Sequence, residues 1–354
     1  MDTIISQDVE NIASRIKDDA AILEGKNILV TGGSGFLGGY FLDVIAFFNE
    51  HHFTEPCKII CLDNLIVGDQ KRMAGLLEKD YFEFIKHDIS KPFSYDGPID
   101  FIVHAASVAS PTYYRQYPLE TIDANVLGTR YLLELAKEKK TRSFLFMSTS
   151  ETYGDPSPEN IPTPETYRGN VSFTGPRACY DESKRLGETL CMAFWQQYGL
   201  PVKIARPFNF YGPGLRLDDK RVLPDFVNNV LHNKPIVIHS DGKATRTFCY
   251  ISDAIAGLFK ILLSDFNGEA FNVGNDTQGE ISMLDLAKMV QDISGKNVGI
   301  LHKASLDKNY VTDNPQRRAP DLSKIRRMLN YQPSIDLKTG LQKSIAWYKD
   351  NYHL

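Results

Sequence analysis

Tyr180 and Lys184 stand four residues apart in a stretch whose pattern predicts a helix over 177–198, so their side chains share one helical face. A tyrosine becomes a usable general base when a neighbouring positive charge lowers its pKa from about 10 toward the working pH. Lys184 is expected to supply that charge. Such pairs also arise by chance on protein surfaces. Here the predicted fifth strand ends in Ser148-Thr-Ser-Glu-Thr-Tyr-Gly154, which would bring the hydroxyls of Thr149 and Ser150 and the carboxylate of Glu151 to the same place. These five residues form the expected catalytic group, suited to taking a proton from a hydroxyl.

A second group of residues points to a bound dinucleotide. Thr31-Gly-Gly-Ser-Gly-Phe-Leu-Gly38 lies between a predicted strand and a predicted helix. Glycine permits the tight turn and lets a helix N-terminus, with its free N–H groups and dipole, approach a pyrophosphate. Glycine-rich turns are common, but this context is the one the dinucleotide motif requires. Gly32, Gly35, Phe36, Leu37 and Gly38 are therefore expected at the cofactor. The second strand ends at Asp63, whose carboxylate would accept both adenosine ribose hydroxyls and repel a 2′-phosphate, favouring NAD over NADP. Asp88, after the third strand, would reach the adenine amino group. Asn64, Ile89, Ala105, Ala106, Ser107 and Asn125 are counted with the same site.

Positioning these groups requires a sheet. Short apolar runs at Ile28–Val30, Lys58–Leu62, Phe82–Ile85, Phe101–His104 and Ser143–Met147 alternate with helical stretches near 36–48, 119–138 and 177–198. That alternation predicts an α/β protein built on a doubly wound parallel sheet of Rossmann type. After Pro207 the chain is richer in Gly, Pro and Asn; further helices near 222–232, 283–294 and 338–350 and strands near 236–239 and 270–273 follow. The expected division is a cofactor domain over 25–207, which also receives roughly 236–272, and a smaller discontinuous C-terminal substrate lobe over 208–354. Ile5, Val9, Ile12 and Ile16 mark one face of an extra N-terminal helix within residues 1–24, expected to pack on the protein itself.

Composition narrows the partners. The 354 residues carry 40 Lys plus Arg against 44 Asp plus Glu, a net charge of −4, which gives no bulk reason for nucleic acid or an anionic membrane as partner. Five cysteines form no CxxC pair, and no histidine shows ligand spacing, so no metal site is expected. No basic segment followed by an apolar run opens the chain, and a reducing cytoplasm is the expected compartment.

Thr31-Gly-x-x-Gly-Phe-x-Gly38, His104-Ala-Ala-Ser107, the strand-five hydroxyls and Tyr180-x-x-x-Lys184 together resemble the extended short-chain dehydrogenase/reductases, and within them the NAD-dependent nucleotide-sugar epimerase/dehydratase family. The resemblance covers roughly residues 26–350. It is strongest to the UDP-glucuronate decarboxylase subgroup, through Ser148–Pro156, Gly175–Lys184, Arg206–Pro213 and Thr312–Asp321. It implies NAD as cofactor, a nucleotide-sugar substrate and a homodimer. It also implies that Tyr180 is the base at the sugar 4-OH, supported by Lys184 and Thr149. Glu151 and Arg318 would face the sugar near C5, and Asn209, Arg221 and Arg246 the nucleoside diphosphate. The loop bearing Tyr113, Tyr114 and Arg115 would border the sugar, and Tyr114 is counted with the substrate site. Thr152, Ser183 and Ala319 depart from the subgroup's valine, glycine and lysine.

Two reactions share a first step in which a 4-keto sugar forms. With a C6 carboxylate, the new ketone lets CO₂ depart into an enolate, and Arg318 would orient that carboxylate bidentately beforehand. With a 6-hydroxyl, Glu151 would remove the C5 proton and water would leave, as in a 4,6-dehydratase. Many dehydratases carry Asp-Glu where this chain has Ser150-Glu151. A 4-epimerase, a net dehydrogenase or a non-catalytic NAD sensor fits the full residue set less well.

Overall fold

The computed structural model describes residues 2–303 and 312–352. The chain opens with helix α1 (Thr3–Ala20), capped by the Asp2 side chain at Ile4 N, and then enters strand β1 (Asn27–Thr31). There follow α2 (Phe36–His51), β2 (Lys58–Asp63), β3 (Phe82–Lys86) and β4 (Phe101–His104). Short helices α3 (Pro111–Gln116) and α4 (Pro118–Asp123) each start on a proline, whose missing N–H costs nothing in a first turn. A π-turn at Ala124–Gly128 joins α4 to α5 (Thr129–Lys139), so the single helix expected over 119–138 is interrupted. Next come β5 (Ser143–Met147), α6 (Ala178–Tyr198) and β6 (Val202–Pro207).

The remaining elements are short strands woven among helices: β7 (Phe210–Tyr211), α7 (Val222–Leu231), β8 (Ile236–Ile238), β9 (Thr245–Arg246) and β10 (Cys249–Tyr250). Then follow α8 (Ile251–Leu263), β11 (Glu269–Val273), β12 (Ile281–Ser282) and α9 (Met283–Ser294). The chain finishes with β13 (Ile300–His302), β14 (Arg317–Arg318), α10 (Ser323–Leu329) and α11 (Leu337–Tyr352).

Seven strands form one parallel sheet in the order β11-β6-β5-β4-β1-β2-β3. Side chains alternate between its faces. Ile28 and Val30 join a core with α1, α2 and α8, whereas Leu29 joins one with α5 and α6. With both faces covered, the strands can be apolar on both sides, which is why they read as continuous apolar runs. The order reverses between β1 and β4, and ligands bind outside the strand ends at such a point.

The C-terminal return into this sheet is narrower than residues 236–272. Ile236–Ile238 pairs with Ile300–His302 in a separate two-stranded sheet, while α8 and Glu269–Val273 join the large one. β8 pairs with β13 and is not among the seven strands of the main sheet. The small sheets β12-β9-β14 and β10-β7 complete the second lobe. In the former, Arg318 is the register partner of Arg246, which sets two arginines side by side.

Helix α1 packs on α8 and α2 of its own chain, burying Ile5, Val9, Ile12 and Ile16. Its buried Asp8 accepts from Tyr250 Oη at 2.7 Å and Lys343 Nζ at 3.0 Å, and Arg15 pairs with Asp253 at 2.6 Å. No helix among the described residues is long and apolar enough to cross a membrane.

Candidate active site

The glycine loop turns sharply out of β1 because Gly32 has φ 73° and lies against β4's exit: a Cβ there would sit 2.8 Å from Ala106 N. A Cβ on Gly38 would fall 2.1 Å from the Gly32 carbonyl oxygen, so the start of α2 closes onto the loop only without side chains. Beyond the loop opens a cavity of about 740 Å³, within the range of small-molecule sites. Gly32, Gly35, Phe36, Leu37 and Gly38 line one end with Asp63, Asn64, Asp88 and Ile89. Ala105, Ala106 and Ser107 line it at the end of β4. Asp63 is fixed by Ser34, whose N–H and hydroxyl donate to Oδ2 at 3.0 and 2.6 Å, and by Leu65 N at 2.8 Å to Oδ1. Oδ1, with one donor, keeps acceptor capacity for a ligand hydroxyl, whereas Ser34 already gives Oδ2 two. Ser107 Oγ is buried without a hydrogen-bond partner among the described residues. An orphaned hydroxyl, a side-chain-free cradle at a helix N-terminus and a fixed carboxylate fit a dinucleotide.

Asn125 does not line the cavity. The π-turn points it into the interior, where Nδ2 donates to Ser183 Oγ at 2.9 Å. The serine that departs from the subgroup's glycine is its partner. His104 is likewise structural, held between Thr31 Oγ1 at 3.0 Å and Thr129 Oγ1 at 3.1 Å, and burial keeps its pKa down to about 3.

The opposite end of the cavity gathers Thr149, Ser150, Glu151, Tyr180 and Lys184 with Asn209, Arg221, Arg246 and Arg318. Their positions follow from β5 and α6. Gly187 lets α6 lie against Phe146 of β5, where a Cβ would meet the ring at 2.4 Å. Lys184 Nζ donates to Met147 O, the last carbonyl of β5, at 2.7 Å. Ser148 Oγ donates to Glu188 Oε1 at 2.5 Å, and Arg206 holds the same carboxylate at 2.9 and 2.6 Å. Thr149 then leaves the strand in extended conformation, and its hydroxyl accepts from Glu151 N at 3.2 Å.

The electrostatics differ from the simple tyrosine–lysine expectation. Burial drives Lys184 down to about 7, so its charge is weakened, and its hydrogen goes to a backbone carbonyl. Burial also raises Tyr180, opposed first by the Thr149 hydroxyl. Spacing placed the two side chains on one face but could not reveal how dry that face is.

Tyr114 lies behind the site rather than in it. It is buried and stacked on Tyr180, with centroids 5.0 Å apart and planes 6° from parallel; its neighbours Tyr113 and Arg115 line the cavity. A single turn of α3 separates the two directions. Arg177 received no role in the sequence reading, yet it lines the cavity beside Glu151. Its placement three residues before Tyr180, at the start of the same helix, is the signal that could have found it. Glu151 Oε2 lies 2.5 Å from Arg177 Nη2, and both Glu151 oxygens lie 2.5 Å from Arg318. Burial alone would raise the Glu151 pKa; the charges of Arg177 and Arg318 outweigh it and bring it down to about 2. Arg246 is turned toward the carbonyls of Thr245, Gln316 and Pro315, and burial among Arg318 and Arg177 lowers it to about 9. Arg221 pairs with Asp219, and Asn209 Nδ2 donates to Thr247 O at 2.9 Å. The concentration of guanidinium groups suits an anionic ligand.

Known proteins resemble this chain in sequence and in fold. The model of the NAD dependent epimerase/dehydratase family matches residues 28–274. The chain is 39% identical over 323 residues to UDP-glucuronic acid decarboxylase 1 of Arabidopsis thaliana, covering 91% of this chain and 70% of that one. An epimerase from Methanothermobacter thermautotrophicus superposes with a TM-score of 0.82 at 25% identity, over 96% and 97% of the two chains. A UDP-glucuronic acid 4-epimerase from Bacillus cereus, solved with UDP-glucuronic acid and NAD, gives 0.75 at 27% identity over 92% and 99%. With a cradle built for a dinucleotide and a family match over most of its length, this chain belongs to the NAD dependent epimerase/dehydratase family, and its cofactor is NAD.

Proposed function

We propose that the protein decarboxylates UDP-glucuronate to UDP-xylose, regenerating its cofactor within each turnover. What favours this reaction is Glu151, held ionised at about 2 by Arg177 and Arg318. Both Glu151 oxygens are engaged by Arg318 and one also by Arg177, which opposes use of that carboxylate as the base a 4,6-dehydratase needs at C5. Decarboxylation at C6 needs no such base, and a guanidinium fork fits the carboxylate that is lost. The name of the 39% identical relative agrees.

When bound, NAD⁺ supplies the hydride acceptor at C4 and returns the hydride at the end. Tyr180 Oη takes the 4-OH proton, helped by the Thr149 hydroxyl. Arg318 orients the C6 carboxylate, now β to the C4 ketone. As the C5–C6 electron pair moves into the enolate and CO₂ leaves, Tyr180 holds its proton at O4. A proton from solvent then adds at C5, and Tyr180 returns its proton to O4 as the C4 alcohol is restored. Arg221 and Arg246 hold the diphosphate, with Asn209 beside them. Residues 25–207 together with 251–273 serve the cofactor, and the remaining C-terminal segments the nucleotide sugar.

The test is incubation of the purified protein with UDP-glucuronate, dTDP-glucose, GDP-mannose and CDP-glucose, read by mass spectrometry. Loss of CO₂ from UDP-glucuronate is expected; loss of water from a hexose nucleotide would instead establish a dehydratase, and neither would sink both. We further infer a homodimer, because exposed Leu119, Leu127 and Leu186 on neighbouring helical segments offer an apolar face to a second copy. Sedimentation velocity decides that. The unpaired thiols of Cys57, Cys61, Cys191 and Cys249, all buried, favour a reducing, cytoplasmic setting, which cell fractionation tests.

A further inference from the structure

Two arginines grip one carboxylate, although the proposed reaction assigns a task to only one of them. Arg318, from β14, spends both terminal nitrogens on Glu151 at 2.5 Å, while its buried Nε has no partner among the described residues. A substrate carboxylate and Glu151 cannot occupy the same fork at once. When the substrate takes that fork, Glu151 requires another anchor or it is left as a buried unpaired charge. Arg177 is built as that anchor. It stands at the N-cap of α6, one turn before Tyr180, is 5% exposed, and reaches Glu151 Oε2 at 2.5 Å. Its guanidinium also lies 6.0 Å over the Tyr114 ring, which stacks on Tyr180. Among the described residues the other carboxylate paired with it is Asp181, at 3.9 Å. Burial first, and then Glu151, raise Asp181 above the usual carboxylate range, and Arg177 sits much closer to Glu151, at 2.5 Å, than to Asp181.

Resting on the decarboxylase function above, we propose that Arg177 is a positioning residue that keeps Glu151 and the Tyr114–Tyr180 stack in place while Arg318 turns to the sugar carboxylate. Arg177 then acts on turnover and Arg318 on substrate capture. The distinction is physical: one arginine is tied to the catalytic helix, the other comes from the substrate lobe.

The groups facing Glu151 are Arg177, Tyr180 and Asp181 of α6, Tyr114 of α3, Arg246 of β9 and Arg318 of β14. Once Arg318 has turned to the substrate, removing Arg177 leaves neither arginine on Glu151, so the carboxyl is easier to protonate and an acid limb should enter the kcat profile.

The experiment uses NAD-loaded enzyme and compares Arg177→Gln, Arg177→Lys and Arg318→Gln with the wild type on UDP-glucuronate. Arg177→Gln should lower kcat about 100-fold with KM within about threefold, and bring in the acid limb, since small misplacement of reacting groups costs about that much. Arg318→Gln should raise KM at least about tenfold. Arg177→Lys, which keeps the charge but not the fork, should keep the wild-type pH profile with kcat lowered roughly tenfold. A Gln variant with wild-type kcat and profile overturns the proposal. Should that variant not fold, a Lys variant with wild-type kcat does the same. Absence of CO₂ release by the wild type overturns the decarboxylase function itself, whereas release by the wild type with unaffected Arg177 variants overturns the positioning role alone.

Discussion

At the scale of single residues, the site works by setting one base against one permanently ionised acid. Tyr180 is buried and its phenol resists ionisation, whereas Glu151 is pinned as an anion. Tyr180→Phe removes the proton acceptor but no packing volume. Turnover should fall by roughly 1000-fold while calorimetry shows nucleotide-sugar affinity within a few-fold; retained activity would refute the base assignment. Glu151 also marks the pH dependence of stability. Its folded pKa, about 2, lies below the ordinary 4.5, so its stabilising contribution is complete above 4.5 and is lost as pH falls toward 2. Urea unfolding across that window should therefore lose stability more steeply in the wild type than in Glu151→Gln, and equal slopes would count against the ion-paired geometry. Tyr180, Lys184 and Glu151 are legible from spacing and position. Arg177 is legible only through its spacing from Tyr180, and the inward turn of Asn125 is not, because it depends on which face of a π-turn meets the cavity.

Among elements, the decisive junctions are β1 to α2 and β5 to α6. The first is closed so tightly that Gly38→Ala forces the Gly32 carbonyl and the start of α2 apart, a Cβ-to-oxygen distance of 2.1 Å being untenable. The remaining turns of α2 stay packed, so the fold should persist while NAD affinity drops at least about tenfold, measured by calorimetry. Unchanged affinity would mean that the loop is not the pyrophosphate site. The second junction is held by Lys184, Glu188 and Arg206. Strand and helix positions here follow the sequence pattern closely because the inner strands of the large sheet are buried on both faces. The short strands of the second lobe, two or three residues each, carry no period to read. That is why β8 was expected near the large sheet and instead pairs with β13.

For the molecule as a whole, α1 is part of the core rather than an appendage. It buries Ile5, Val9, Ile12 and Ile16 against α8 and α2, and Asp8 reaches Tyr250 and Lys343 of the C-terminal segments. At roughly 1.5–3 kcal/mol for each buried aliphatic, removing the helix forfeits an amount comparable to a typical folding free energy. Deletion of residues 1–20 should give insoluble protein or a markedly lower Tm by calorimetry, even though no residue of the cavity is removed. A wild-type Tm would show the helix to be dispensable.

Local order and chemistry were determined by the sequence alone: the glycine loop, the acidic strand ends, the tyrosine–lysine pair and the alternation of strands and helices all act over a few residues. Tertiary structure decided what depends on distant segments meeting. Register between β9 and β14 set Arg318 beside Arg246, and the approach of Arg318 from residue 318 to Glu151 at residue 151 turned a possible base into a fixed anion. Burial did the rest, drying the Tyr180–Lys184 face until desolvation outweighed the charge that spacing alone had promised.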